Sequence, residues 1–463
     1  MDFFDDKLAL FMDKGILQET VDTSVDKGID LAQVRWFTQP ENRIMLAELM
    51  FNGKYHIAPP HIIQIPKRDS SEMRKVYCNE PLDRIVCAQI GRVYEHMYRD
   101  RIHPNCVSYQ RGIGVGRIVR EISRYISAHP GLTGAKFDIH HYFDEVSESA
   151  CDQALKELDS GSCIDRIVWE YLHDDVVIDE NNEIQHVYKG IAQGFAVSPF
   201  LANYILRDVD ETISKLNVLY YRYSDDILIL GPDFEQARDI LYRKLAEKGL
   251  TINPKKVTTI DADTEFTFLG FKIRGSRITF SDNTLKRVKK TIRSLTKTRK
   301  GQPLKDEAVL KKVIRQINRE LYVAYIQNDR EFGWAEYMFG TVNVLEDVEE
   351  LDRYIKDHLR HVYTGKWNSR SNYLKVPNDM LRRCGYISMA HLFKLYRISK
   401  NDLFKGVTPG VKACSEVLLV PFLISRCHRH SEKGVTGCDA KSHCRLSPQR
   451  ASRAIIPGQR ETQ

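Results

Sequence analysis

The stretch YRYSDDILIL, residues 221–230, sets two adjacent carboxylates, Asp225 and Asp226, between two runs that both favour β-strand. Neighbouring side chains on a strand point to opposite faces, so only a turn brings both carboxylates to one place. The pair is therefore expected at a hairpin tip. Before it, Val218, Leu219, Tyr220, Tyr221 and Tyr223 are β-branched, aromatic or apolar, and after it Ile227, Leu228, Ile229 and Leu230 make a continuous apolar run of buried-strand type. Ser224 and the two Asp residues are turn formers. A solvated loop between core strands accounts for this much, and so does a metal site.

A second acidic element, GAKFDIHHYFDEV at 134–146, reads as a strand over Ala135–Ile139 with Asp138 near its end, followed by a turn into helix. Strand-end carboxylates from two strands project oxygens into a common cleft, and three of them can hold two divalent cations, Mg²⁺ preferring such ligands. In polymerases that use two ions, one activates the attacking 3′ hydroxyl and the other holds the triphosphate and the leaving pyrophosphate, about 3.5 to 4 Å away. Between the two acidic elements, GIAQGFAVSPFLANYIL at 190–206 reads as a loop entering an apolar helix, with Ser198 at the N-cap and Pro199 at the first helical position. Gly194 permits close backbone approach, to a planar base pair for instance, with Gln193 placed toward an incoming nucleotide.

Composition bounds the rest. A chain of 463 residues, 42% hydrophobic and 28% charged, has room for two or three domains and a large core. The net charge of +7 is uneven, most of it lying in LKRVKKTIRSLTKTRKGQPLK, 285–305, which suits either a polyanion partner or a solvated helix face. With no apolar leader and no run of roughly 20 apolar residues, a soluble, cytoplasmic protein without a membrane span is expected. Six cysteines before residue 385 stand singly and read as buried free thiols. Cys414, Cys427, Cys438 and Cys444, with His428, His430 and His443, lack a recognised zinc spacing, so this segment is read as an unstructured tail and no metal is assigned to it.

Residues 1–60 read as a helical N-terminal extension, with IDLAQVRWFTQPENRIMLAELMF (29–51) broken at Pro40. From residue 62 a strand, a polar turn and a long amphipathic helix follow, and mixed α and β structure continues to about 280. FTFLGFKIRGSRITF, 266–280, reads as a hairpin around Arg274, Gly275 and Ser276. Helical patterns dominate 284–400, and the chain turns polar beyond about 408. The fold class expected is α+β.

In this order, FDIHHYFDEV, AQGFAVSPFLAN, YSDD, GLTINPKKVTTI and FTFLGFKI resemble the palm of reverse transcriptases. IPKRDSSEMRKVY, PLDRIV and VSYQRGIGVGRIVREI resemble the fingers segments of bacterial reverse transcriptases related to group II introns and retrons. The resemblance implies a right-hand polymerase: fingers and palm over 61–280, a helical thumb over 281–345, a helical C-terminal region over 346–407 and a polar tail over 408–463. It implies Asp138, Asp225 and Asp226 as catalytic metal ligands, with Ile139 beside them at the metal, two Mg²⁺ or Mn²⁺ ions as cofactors, and deoxynucleoside triphosphates as substrates. Phe143 matches the aromatic residue that closes on the sugar 2′ position. Lys67 and Arg74 match basic fingers residues that hold the triphosphate. Gln193 and Gly194 match the nucleotide-contacting loop, and Lys256 a phosphate clamp or proton donor, with Lys255 adjacent as a competing assignment. Arg111 matches a template-strand contact, and Lys286, Lys289, Lys290 and Arg293 would track a template and primer duplex from the thumb.

The sequence also departs from the family. Ala192 stands where many relatives carry Pro, and Phe195, Ala196 and Val197 make the loop bulkier. His140 and His141 follow Asp138 where relatives often have Lys or Gly, and are read as solvent-facing or helix-starting residues rather than ligands. A Val-Thr-Gly element sits only in the tail, at GVTGC 434–438, and no HNH pattern is evident. By exclusion the chain is most similar to the defence-associated and abortive-infection reverse transcriptases, which implies an antiphage role, a structured non-coding RNA as template, a DNA product and room for a homo-oligomer. Untemplated or protein-primed synthesis by the same palm, and a non-catalytic RNA-binding or splicing-assistance protein, are the alternatives. The last has no need to hold three mutually repelling charges together.

Overall fold

The computed structural model describes residues 5–26, 29–66, 73–110, 113–297, 304–322, 334–367 and 369–403. The chain divides into two compact units, Met1–Arg397 and Ile398–Gln463, and the first carries all the sites considered below. Its described strands are β1 (His61–Pro66), β2 (Met73–Cys78), β3 (Gly134–Asp138), β4 (Val176–Ile178), β5 (Ile184–His186), β6 (Leu219–Tyr223), β7 (Asp226–Leu230), β8 (Thr258–Ile260), β9 (Phe266–Phe268), β10 (Phe271–Arg274) and β11 (Arg277–Phe280). They form three sheets, ordered β2-β1-β4-β5, β6-β7-β3-β8 and β11-β10-β9.

The middle sheet is antiparallel throughout and is covered on both faces. Ile227 and Ile229 of β7 enter one apolar core with Ala135, Phe137 and Tyr220, whereas Leu228 and Leu230 enter a second with Tyr221 and Ile260. That is why the run at 227–230 shows no polar alternation: each face of the strand meets its own core. The first core is closed by helices including Pro81–Tyr98 and Ser198–Ile205. The second is closed by Val115–Ala128, by the β9–β11 sheet and by the helices that follow it.

Residues 6–51 form four helices, Asp6–Met12, Lys14–Asp26, Leu31–Thr38 and Pro40–Phe51, with Pro40 opening the last of them. They are more than an appended extension. Leu8, Phe11, Phe37 and Met50 belong to the first core, and the fully buried Lys7 pairs with Asp165 and donates to the Leu158 carbonyl at 2.8 Å. The expected hairpin at 266–280 becomes three strands, turning at Leu269–Gly270 and again at Gly275–Ser276.

Beyond it the described chain is helical. Asp282–Leu295, Glu307–Tyr322 and Leu345–Thr364 bury Val288 and Ile292, Leu310, Ile314 and Ile317, and Val348, Leu351, Ile355 and Leu359, at the spacing of three and four that gives one apolar stripe. Of the six cysteines expected to be buried thiols, Cys87, Cys106, Cys151 and Cys384 are buried, Cys78 and Cys163 are half-exposed, and all are unpaired. The Cys and His residues beyond 408 lie outside the described residues. No helix among the described residues is long and apolar enough to cross a membrane.

Candidate active site

β6 and β7 pair with Tyr223 opposite Asp226, leaving Ser224 and Asp225 as a two-residue connection. Ser224 takes the left-handed φ of +58° such a tight turn needs. The turn breaks strand alternation, so Asp225 no longer points away from Asp226. On the other side of β7, Asp226 sits directly opposite Asp138 at the end of β3. The Ile139 amide donates to the Asp225 carbonyl at 3.0 Å, tying the turn to the neighbouring strand. Three carboxylates from two strands and one turn thus meet at one end of the sheet. Ile139, its side chain buried, has only its carbonyl to offer a cation there.

Two lysines stand among them. Lys256 Nζ donates to Asp138 Oδ1 and Oδ2 at 2.8 and 3.0 Å, and Lys136 Nζ lies 2.9 Å from Asp226 Oδ1. These ammonium groups occupy places that divalent cations take in a carboxylate cleft, so the donor set fits hard cations of the Mg²⁺ class. For Asp225, burial, and then the charges of Asp226 and Asp138, push the carboxyl up to about 6. Burial pulls the Lys256 ammonium down, but the Asp138 carboxylate outweighs it and holds the group above its ordinary value. The contact to Asp138 favours Lys256 over Lys255 as the member of this cleft.

The hairpin is held from below by a pair that strand reading did not reveal. Arg222, fully buried, donates from Nε and Nη2 to the two oxygens of buried Asp210 at 2.7 and 2.6 Å, to the Asn203 carbonyl at 3.0 Å and to the Ser224 carbonyl at 3.4 Å. Tyr220 donates to Asp210 at 2.6 Å, and the Arg222 main chain pairs with Asn105 and Val107. A guanidinium therefore clamps the carbonyl of the residue immediately before the two carboxylates.

Phe143 lies in the short helix Tyr142–Glu145, half-buried against the first core. Its carbonyl accepts from the Ile191 amide at 3.0 Å and faces Gly190, where a Cβ would stand 2.1 Å away. The 190–195 loop continues to β2: the Tyr77 amide donates to the Gln193 carbonyl at 2.8 Å, and a Cβ on Gly194, at φ +116°, would meet the Tyr77 carbonyl at 2.4 Å. The close approach that Gly194 permits is made to β2, the strand that presents exposed Arg74, while Gly194 itself stays exposed. Ser198 also differs from expectation. The helix begins at Ser198 with Val197 as its cap, and the Ser198 hydroxyl donates back to the Ala192 carbonyl at 3.0 Å, closing the loop instead of capping amides.

Among the basic candidates, Lys67 and Arg111 lie outside the described residues. Lys286, Lys290 and Arg293 are exposed on Asp282–Leu295. Lys289 is not free on that face: its ammonium pairs with Glu350 at 3.1 Å and sits 5.3 Å from the Tyr354 ring centre.

Lys189, next to this loop, is 1% exposed, and its ammonium has no hydrogen-bond partner among the described residues. It rests 4.7 Å from the Tyr171 ring centre, and burial lowers it to about 8 despite Asp174 and Asp175. Below pH 8 both folded and unfolded states hold the proton, and the folded state bears the full cost of the buried charge. Between about 8 and 10.5 the folded state releases its proton first, so stability rises with pH across that window. Lys189→Met is expected to raise stability at pH 7 by on the order of 2 kcal/mol, with the gain shrinking toward pH 10. Thermal unfolding at both pH values measures it.

Comparison with known proteins bears on the same region. The chain is 22% identical over 346 residues to the COX1/OXI3 intron 1 protein of Saccharomyces cerevisiae, a match covering 62% of this chain and 40% of the yeast protein. It is 36% identical over 97 residues to the Gag-Pro-Pol polyprotein of Mason-Pfizer monkey virus, covering 20% of this chain and 5% of the polyprotein. The chain therefore spans well under half the length of either relative. Among solved structures it is similar to telomerase from Candida albicans in complex with a fragment of telomeric RNA, with a TM-score of 0.41 and 14% identity over 76% of this chain and 65% of that one. Apo telomerase from Candida tropicalis gives 0.43 and 12% over 74% and 62%. Residues 65–273, the span that carries all three carboxylates, match the model of the reverse transcriptase (RNA-dependent DNA polymerase) family.

Proposed function

We propose that the chain is an RNA-directed DNA polymerase, with the fingers and palm over 61–280 and the thumb over 281–345. The observation that carries this reading is the meeting of Asp138, Asp225 and Asp226 at one sheet end with lysine ammoniums where cations would sit. Two divalent cations, Mg²⁺ or Mn²⁺, supply activation of the 3′ hydroxyl and neutralisation of the charge that develops on the triphosphate. The chain's own part is to fix three oxygen donors through the Arg222 clamp and the pairing of β3 with β7. Lys256 is then placed to leave Asp138 and meet a phosphate. Arg74, with Lys67, offers donors to the triphosphate, and Gln193 is assigned to the incoming nucleotide from the loop whose main chain is pinned to β2.

Phe143 is the sugar-selecting residue in this reading, its carbonyl held by the Ile191 amide at 3.0 Å. Phe143→Val is expected to lower discrimination against ribonucleotides by about 10- to 200-fold, measured as the ratio of kcat/KM for deoxynucleotides over ribonucleotides. The exposed Lys286, Lys290 and Arg293 track phosphates of the template and primer duplex. Replacing them together with Gln should flatten the dependence of log affinity on log salt by about 0.7 to 0.9 for each phosphate that is no longer neutralised. Lys289→Gln should change that slope little, because Glu350 already holds its charge.

The finer reading, antiphage defence in the bacterial cytoplasm with a dedicated non-coding RNA as template, rests on the sequence resemblance. Sequencing the RNA that copurifies with the protein, together with the DNA made from all four deoxynucleotides, tests it. A discrete RNA with complementary DNA supports the reading. DNA matching no RNA means untemplated or protein-primed synthesis, and RNA binding without DNA means a non-catalytic partner of RNA.

A further inference from the structure

His140, His141 and Glu145 come together just past Asp138, and one atom from each lies within 4.8 Å of the others. His140 Nδ1 is 2.8 and 3.0 Å from the two Glu145 oxygens, and the two imidazole rings stand 4.2 Å apart at 81°. We propose that these three side chains form a binding site for a transition metal of the Zn²⁺ class, separate from the three carboxylates of the catalytic cleft and independent of the polymerase reading.

The donor chemistry separates the two sites. Three carboxylates suit a hard cation, whereas two imidazoles with one carboxylate suit Zn²⁺, Co²⁺ or Ni²⁺ over Mg²⁺. Bonds of about 2.0 to 2.2 Å in a tetrahedral shell place ligand atoms roughly 3.3 to 3.5 Å apart, so small side-chain rotations close this set around an ion. The near-perpendicular rings let both nitrogens converge without stacking. Ion pairs account for each histidine singly, His140 with Glu145 and His141 with Asp144, but not for the convergence of one atom from each of His140, His141 and Glu145 within 4.8 Å.

The backbone holds the donors in place before any ion arrives. The His140 amide donates to the Thr251 carbonyl at 2.8 Å, and the His141 carbonyl accepts from Asp144 and Glu145 amides at 2.8 and 2.9 Å. His141 adopts a left-handed φ of +38°, which turns the chain sharply enough to bring residue 145 back to residue 140. The three side chains are 33 to 41% exposed, leaving an approach for the ion and for water.

The test titrates the full chain with Zn²⁺ by calorimetry, and with Co²⁺ by its visible absorption, in excess Mg²⁺ so that the carboxylate cleft is occupied. His140→Ala with His141→Asn, the Asn chosen to tolerate the left-handed turn, is expected to lose one equivalent of Zn²⁺ and the matching Co²⁺ bands. Glu145→Gln, which keeps a hydrogen bond to His140, should weaken that equivalent at least about tenfold. Asp225→Asn with Asp226→Asn should retain it. Zinc held by the cysteines and histidines beyond residue 408 would persist in every variant. Equal stoichiometry in the wild type and the double His variant, or loss of the equivalent in the Asp variant, overturns the proposal.

Discussion

Asp225→Ala with Asp226→Ala is expected to lower deoxynucleotide incorporation by about 10³-fold or more, while RNA affinity stays within a few-fold. The reason is where the charges lie. Asp226 faces Asp138 across β3 and β7, and Asp225 is swung beside them by the Ser224 turn, so the two substitutions remove two of the three oxygen donors. Metal stabilisation of developing charge is worth several kcal/mol, and each 1.36 kcal/mol is tenfold in rate. Loss of folding does not explain the same result, because Asp225 is a half-buried carboxyl held up at about 6 by burial and by like charges. Removing it relieves repulsion, so the metal-free Asp225→Asn protein should melt no lower than the wild type. A primer-extension assay alongside thermal unfolding decides the matter: undiminished synthesis in the double Ala variant would sink the catalytic assignment.

Asp210→Ala carries the second large effect, and it acts on the scaffold. It leaves Arg222 charged, fully buried and stripped of two hydrogen bonds, and leaves Tyr220 without its acceptor. Breaking a buried ion pair from one side costs about 3 to 5 kcal/mol, against the 5 to 15 kcal/mol that hold an ordinary domain together. The thermal midpoint should fall steeply, and any folded fraction should lose activity as Ser224 is released. Asp210→Leu combined with Arg222→Met should recover much of the midpoint, since two apolar residues leave no uncompensated charge. If the recovered variant is also fully active, Arg222 is a stabiliser only and does not position the turn.

Much of the site is legible in the residues themselves. The hairpin at 221–230, the strand end at Asp138 and the helical stripes after 282 follow from periods of two and of three to four, which report backbone form and buried face. Other features are not. Asp210 is twelve positions from Arg222 and lies in a helix. Lys136 looks like an ordinary alternating strand residue until β3 is set against β7. Ser198 reads as a cap because Ser before Pro has that form, but its hydroxyl finds the Ala192 carbonyl closer to hand. Lys289 and Lys290 are adjacent in a basic run, yet Lys289 is the one that meets Glu350 across a helix pair. Gly194 correctly signals close approach without naming what approaches.

The local chemistry of residues 134–146 and 221–230 thus already entails two acidic strand ends, because alternation and turn propensity act over a few residues of chain. Which carboxylate faces which lysine, and which acid holds Arg222, depend on strand register and helix packing. Those are settled by burial of distant apolar surface, and no short stretch of chain contains both partners.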